Sequence, residues 1–273
     1  MSTSTGGGAH MTIRDFQERK NRGEKLVVVT AYDALFGKLV DESGVDAVLV
    51  GDSLGNLLAG YETTLPVTLD QMIYHARSTR AGVKRALLIV DMPFLTYQVS
   101  WRRALENCGR VMQEGGADSV KLEGASQSVL AAVRAVTEAG IPVMGHLGFT
   151  PQSVLGLGGT RVQARDVQSA QKIVDDAKHL EEAGAFSIVL ELVPAKVAAR
   201  VTEAVSIPTI GIGAGAACSG QVLVLHDLLG LNEGFSPKFL KRYADLGTDV
   251  RKALLRFGDE VRAGSYPDDD HSF

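Results

Sequence analysis

Eight short apolar runs recur along the chain with room for a helix between most neighbours, and this recurrence limits the fold more than any other feature. They are LVVVT at 26–30, DAVLV at 46–50, ALLIV at 86–90, SVKLE at 119–123, IPVMG at 141–145, SIVLEL at 187–192, PTIGI at 208–212 and VLVLH at 222–226. Most are continuous rather than alternating, which is how strands covered on both faces of a parallel sheet read. The segments between them carry helix signals. Thr68 followed by Gln71 forms a capping box. Residues 166–183 set Ala170, Ile173, Val174, Ala177 and Leu180 on one stripe, and Gly184 closes the helix. The helix over 128–139 is stopped by Gly140 and Pro142. A further helix is expected near 12–22, and 237–262 reads as a long helix or a pair. The class is α/β: a (β/α)8 TIM barrel with an extra N-terminal helix and a C-terminal helical extension. An open doubly wound sheet is the other arrangement of such units. The first βα loop, however, has no G-x-G-x-x-G to hold a dinucleotide.

No composition shift or Ser/Pro-rich linker divides the chain. Residues 12–273 therefore read as a single catalytic barrel domain, and residues 1–11, opening MSTSTGGGAH, as a disordered tail. That opening lacks the basic start and apolar core of a secretory signal. No apolar run approaches the ~20 residues that cross a bilayer, so no membrane partner is expected. A net charge of −4 disfavours nucleic acid, whose binders carry basic excess. Two cysteines, Cys108 and Cys218, cannot build a disulfide framework, and the expected setting is cytoplasmic. The 30 glycines in 273 residues exceed the usual ~7% and point to many tight turns or close backbone approaches.

In such a barrel, chemistry sits at the C-terminal ends of the strands. Those ends carry Tyr32-Asp33, Asp52-Ser53, Asp91, Lys121 with Glu123, His146, Glu191, the glycine loop GIGAG at 211–215, and His226-Asp227. Asp33 reads as the N-cap of the next helix, and Asp52 and Asp91 taken singly admit the same reading. Together, two hard carboxylates on neighbouring strands can hold Mg²⁺, with Glu123 as an outer third. No H-x-x-x-H or C-x-x-C spacing suggests zinc. His146 alone reads as a hydrogen-bonded structural residue. Glu191, between Leu190 and Leu192, calls for either a base role or a cationic partner, and Lys121 could be that partner or could hold a substrate carboxylate. GIGAG could cradle a phosphate or simply turn the chain. The segment 147–166 lacks periodicity and is expected to be a substrate-covering lid.

Longer motifs add to this. TAYDA at 30–34, GVDAVLVGDSLGN at 44–56, TLPVTL at 64–69, DMPF at 91–94 and VKLEG at 120–124 come first. GHLGFTPQSV at 145–154, EAGAFSIVLELVP at 182–194, IPTIGIGAG at 207–215 and GQVLVLHDLLG at 220–230 follow in order. In these the chain closely resembles the ketopantoate hydroxymethyltransferase family from about residue 12 to its end. The resemblance implies transfer of a one-carbon unit from 5,10-methylenetetrahydrofolate to 3-methyl-2-oxobutanoate, giving 2-dehydropantoate in pantothenate biosynthesis. It implies Mg²⁺, a cytoplasmic enzyme and a homo-oligomer, typically a decamer. By matching motifs it implies Asp52 and Asp91 as metal ligands, with Glu123 in the outer shell. Ser53 and Lys121 match substrate-binding positions, Glu191 the catalytic base and His146 an active-site histidine. Two departures stand out: Ser219 where relatives usually have Asp, and Ala164 where they usually have Gly.

Three rivals frame the expectation. One is another Mg²⁺-dependent barrel enzyme on 2-oxo acids, of the phosphoenolpyruvate mutase/isocitrate lyase type, although the K-x-C-G-H setting of its reactive cysteine is missing. The others are a phosphate-binding barrel isomerase using GIGAG and an inactive interaction protein.

Overall fold

The computed structural model describes residues 9–273, so most of the expected tail, residues 1–8, lies outside the described residues. The chain divides into two compact units, one ending at Leu223 and the other running Val224–Phe273. In the first, eight parallel strands close into a barrel in chain order. They are β1 (Leu26–Thr30), β2 (Ala47–Val50), β3 (Leu87–Asp91), β4 (Ser119–Glu123), β5 (Val143–Gly148), β6 (Ser187–Glu191), β7 (Thr209–Ile212) and β8 (Gly220–Leu223). The (β/α)8 expectation holds.

Two strands are placed differently from their apolar runs. β5 starts later and runs to Gly148, because Pro142 supplies only its carbonyl, which accepts from Val120 N, and cannot donate to the ladder. β8 begins at Gly220 and ends at Leu223, not 222–226. A Cβ at Gly220 would come within 2.4 Å of the Leu26 carbonyl oxygen, so the glycine lets β8 lie against β1. The apolar run then continues into a short helix, Leu225–Leu228, which takes His226 and Asp227 off the strand.

Along each strand, alternate residues face the barrel interior. Leu26, Val28, Ala47, Leu49, Leu87, Ile89, Met144, Val189, Ile210 and Val222 make one buried cluster there. Fully burying a side chain of this size stabilises by about 1.5–3 kcal/mol. Phe16 joins the cluster from the helix Ile13–Asn21, which opens with a Thr12–Asp15 capping box. Lys20 Nζ from that helix donates to the Val205 and Ile207 carbonyls, at 2.8 and 2.7 Å, where the chain enters β7. The expected N-terminal helix thus covers the N-terminal mouth of the barrel. Met11 N, in the segment expected as tail, donates to Arg85 O at 2.6 Å.

Within the second unit, the helix Leu246–Ala263 has no buried residue. It begins later than the expected 237–262. Arg242 Nη2 donates to the Asn232, Glu233 and Phe235 carbonyls, which folds the preceding segment into a compact turn instead of a helix. Among the described residues, no helix is long and apolar enough to cross a membrane.

Candidate active site

The interior-facing residues change character toward the C-terminal mouth. Ile89 is followed two positions later by Asp91, Ser119 by Lys121 and then Glu123, Met144 by His146, and Val189 by Glu191. Parallel register sets Asp91 beside Lys121, Glu123 beside His146, and Gly148 beside Glu191. Asp52 and Ser53 follow β2 at the same end. The strand-end carboxylates expected from the sequence are therefore brought together, and side chains two residues below them are mostly packed hydrocarbon.

The network can be followed atom by atom. Asp91 Oδ2 accepts from Asp52 N at 3.0 Å, and Asp91 Oδ1 lies 2.8 Å from Lys121 Nζ. Lys121 Nζ is also 3.2 Å from His146 Nδ1. An ammonium can only donate, so Nδ1 is an acceptor and the imidazole proton sits on Nε2. That nitrogen is 3.3 Å from Glu191 Oε2. Glu123 Oε1 lies 3.4 Å from His146 Nδ1, and Glu123 Oε2 accepts from Gln152 N at 3.0 Å. Gln152 Nε2 donates to Asp52 Oδ2 at 3.0 Å and to Met92 O at 2.9 Å. Tyr97 OH accepts from Glu123 N and lies 3.0 Å from Gln152 Oε1. Ser53 Oγ is 2.9 Å from Tyr32 OH.

Three buried carboxylates, Asp52, Asp91 and Glu123, thus share one buried ammonium. Burial pushes the Asp52 carboxyl well above the usual carboxylate range, and Asp91 and Glu123 push it further. Glu123 also rises through burial, against the pull of Lys121. Burial alone would lower Lys121, but Asp91, Glu123 and Asp52 outweigh it and hold the ammonium charged. His146 falls below its ordinary value through burial and the neighbouring Lys121, so the imidazole is neutral. Among the described residues, no three His, Cys, Asp or Glu side chains converge to hold a metal unaided. A cation here would need oxygens from outside the protein.

One of the open alternatives is not realised. Glu191 pairs with His146 and Lys121 with Asp91, so the Lys121–Glu191 ion pair is not formed. Asp33 is the helix N-cap, its Oδ1 accepting from Phe36 N at 2.8 Å. In GIGAG, Gly215 answers to packing, since a Cβ there would fall 2.5 Å from Ala195 Cβ, and Gly213 turns the chain at φ 63°. Ser219 lies ahead of β8, at the opposite end from the site, where its hydroxyl accepts from Thr209 N. The Asp-to-Ser departure therefore does not touch the rim.

Segment 147–166 contains a 3₁₀ turn, Pro151–Ser153, and a short helix, Val154–Leu157. Its ends are pinned to β6: Phe149 N donates to Glu191 O and Gln163 N to Leu192 O, both at 2.8 Å. Gly148 permits this, since a Cβ there would meet the Glu191 carbonyl oxygen at 2.2 Å. Leu192 (φ 48°) and Ala164 (φ 56°) both adopt left-handed backbone, a costly conformation for residues with a side chain. Gln152 and Tyr97 escaped the sequence reading. Both are neutral and lie in loops, and the one local hint was Pro151-Gln152 directly after a strand.

The chain matches the family model described as ketopantoate hydroxymethyltransferase over residues 10–269. It is 52% identical over 262 residues to a 3-methyl-2-oxobutanoate hydroxymethyltransferase of Clostridium botulinum, covering 96% of this chain and 95% of that one. It is 53% identical to that of Moorella thermoacetica, covering 97% and 98%. Among solved structures it resembles a 2,3-dimethylmalate lyase of the phosphoenolpyruvate mutase/isocitrate lyase superfamily, with a TM-score of 0.61 at 14% identity over 96% of this chain and 91% of that one. It also resembles a phosphonopyruvate hydrolase in complex with oxalate and Mg²⁺, with a TM-score of 0.58 at 13% identity over 96% and 93%. At such identities the likeness is one of fold.

Proposed function

The chain belongs to the ketopantoate hydroxymethyltransferase family, and from that premise we propose how its rim residues divide the work of hydroxymethyl transfer. The observation that carries the proposal is the gradation of exposure across the cluster. Glu191's side chain is 19% exposed, whereas those of Asp91 and His146 are 5% and 3%. The rim carboxylate that incoming substrate reaches most readily is one that faces an imidazole rather than an ammonium. That suits a general base acting on the C3 hydrogen of 3-methyl-2-oxobutanoate.

Removing that proton leaves its electron pair to form a C2–C3 double bond, with charge moving onto the ketone oxygen. Water breaks both C–N bonds of the donor's methylene carbon, the donor proposed to be 5,10-methylenetetrahydrofolate, freeing that carbon at the oxidation level of formaldehyde and leaving tetrahydrofolate. C3 then bonds to this carbon, whose oxygen takes up a proton to become the product hydroxyl. His146 donates its Nε2 proton toward Glu191 and so aims the carboxylate. Lys121 keeps positive charge beside the developing enolate and the substrate carboxylate, and Ser53 offers a hydroxyl at the same rim.

Three buried carboxyls on one ammonium leave surplus negative charge once Asp52 and Glu123 give up their protons, and burying unpaired charge costs several kcal/mol, so either protons or a cation must offset it. Hard oxygen donors in this number fit Mg²⁺, with Asp52 and Asp91 as its ligands and Glu123 behind them. When bound, Mg²⁺ would supply Lewis acidity toward the oxygens of a 2-oxo acid. The proposed setting is the cytoplasm.

Assembly is proposed to be homo-oligomeric, of the decameric kind the motifs imply. In keeping with this, the helix Leu246–Ala263 exposes Val250, Leu254, Leu255, Phe257 and Val261. Sedimentation at micromolar concentration is expected to give a multiple of 29.0 kDa, and a monomer would contradict the assembly. The reaction itself is tested by incubating the protein with Mg²⁺, 3-methyl-2-oxobutanoate and 5,10-methylenetetrahydrofolate. Formation of 2-dehydropantoate is expected only when all three are present, and product formed without Mg²⁺ would remove the metal from the proposal.

A further inference from the structure

We propose that Gln152 is the positioning residue of this site, a neutral clamp that fixes the Asp52 carboxylate for a divalent cation and ties the loop after β5 to it. The inference rests on the reading of Asp52 as a metal ligand. Its basis is the completeness of the bonding around one buried amide. Gln152 Nε2 donates to Asp52 Oδ2 at 3.0 Å and to the Met92 carbonyl at 2.9 Å, using both amide hydrogens. Its Oε1 accepts from Tyr97 OH at 3.0 Å and from Gln98 Nε2 at 3.1 Å. Its main-chain N–H donates to Glu123 Oε2 at 3.0 Å. One residue therefore holds two of the three buried carboxylates.

The amide cannot turn over without loss. Tyr97 OH accepts from Glu123 N, which directs its own proton toward Gln152 Oε1 at 3.0 Å or the more distant Glu123 carbonyl at 3.3 Å. With Oε1 fixed by that phenol and by Gln98, Nε2 must face Asp52. A side chain that bonds this fully loses little further freedom when a ligand arrives, which is what preorganisation means in practice.

The choice of an amide has a physical reason. An ammonium in the same place would also hold Asp52, but it would cancel the negative charge and repel a second cation. An amide donates a hydrogen bond and leaves the charge in place. It occupies Oδ2 and leaves Oδ1 to serve a cation. Lys121 performs the charged form of the same task on Asp91, and a second lysine would leave too little negative charge to attract Mg²⁺.

The test is Mg²⁺ titration by calorimetry, without folate, on the full chain carrying Gln152→Met. Methionine nearly keeps the volume and removes every side-chain hydrogen bond. The dissociation constant for Mg²⁺ is expected to rise at least tenfold, with the thermal midpoint measured alongside it. A purely structural role would lower the midpoint and leave the affinity of the folded protein unchanged. If Gln152→Met does not fold, Gln152→Asn, one methylene too short to reach both partners, answers the same question. Asp52→Ala is titrated in parallel. Affinity within twofold of the parent in the Gln152 variant, with binding lost in Asp52→Ala, would overturn the clamp alone. Unchanged binding in Asp52→Ala would overturn the metal-ligand reading and the clamp with it.

Discussion

The two ends of the barrel both bury aspartates, and they treat them in opposite ways. At the N-terminal end the carboxylates are met by main-chain N–H groups, and Asp46 and Asp118 each face an arginine as well. Asp41 accepts from Lys84 N, Arg85 N and Ala86 N. Asp46 accepts from Val27 N at 2.8 Å and faces Arg19 Nη1 at 3.1 Å. Asp118 accepts from Leu88 N at 2.8 Å and Arg80 Nη1 at 2.9 Å. At the C-terminal end three carboxylates crowd around one lysine and one glutamine. The first arrangement joins helices to strands and has no charge to spare. The second carries surplus charge that only something from solution can neutralise. Asp41 and Asp46 are as buried as Asp52 and Asp91, at 4% and 2% against 4% and 3%, so the supply of main-chain donors and counter-charge, not burial, separates the two ends.

Substitutions can break this contrast. At the upper end, Glu191→Gln is expected to cut the exchange of the substrate C3 hydrogen with deuterated solvent by roughly 10²–10⁴-fold, the usual cost of losing a general base. Mg²⁺ binding should barely move. Near-normal exchange would take the base role from Glu191 and turn attention to His146. Asp52→Ala should abolish metal-dependent turnover and keep the fold. At the lower end the signs reverse: Asp46→Ala leaves Val27 N–H and Arg19 without their partner and should cost about 1–3 kcal/mol in denaturant unfolding. Mg²⁺ affinity should be untouched, and a metal-binding defect there would blur the distinction between the two ends.

Acidity sharpens the comparison further. Asp52 and Glu123 hold protons above the usual carboxylate range, mainly because they are buried. A cation must displace those protons, so binding should release them and tighten as pH rises above that range, by up to about tenfold per unit for each proton displaced. Titration in buffers of different ionisation enthalpy measures the release, and a flat pH profile would contradict it. The smallest effect concerns Ala164 at φ 56°. Ala164→Gly relieves a conformation costing roughly 1–2 kcal/mol, offset by about 0.5–1 kcal/mol of extra chain entropy in the unfolded state. A gain of a few tenths to about 1 kcal/mol should appear in the unfolding free energy, and a loss would show that the methyl packs to advantage.

The barrel was legible because strands buried on both faces need continuous apolar residues, and eight such runs have few other uses. β8 was displaced because its run serves a strand and then a helix, and because Gly220 looks like a turn while acting as a point of close packing. The C-terminal helix was overextended because nothing local reveals that Arg242 gathers three carbonyls. Six ionisable rim residues could be read from strand ends, since such side chains are out of place in a buried strand. Gln152 and Tyr97 could not, because a neutral loop residue reveals its role only through distant partners. Which cation Glu191 or Lys121 would choose was likewise invisible, since that depends on strand register.

The pinning of segment 149–163 to adjacent residues of the β6 end has one more consequence, for how this protein can change over time. With both ends fastened beside Glu191 and Gln152 held against Asp52, the part of the loop beyond Ser153 is a replaceable cassette. Lengthening a flexible loop between fixed ends costs only about 0.6 kcal/mol per doubling. Insertions in the outer part of the loop, beyond Ser153, can therefore accumulate or be grafted without shifting Glu191, the proposed base, so the surface over the rim can diverge among descendants while the residues beneath stay still.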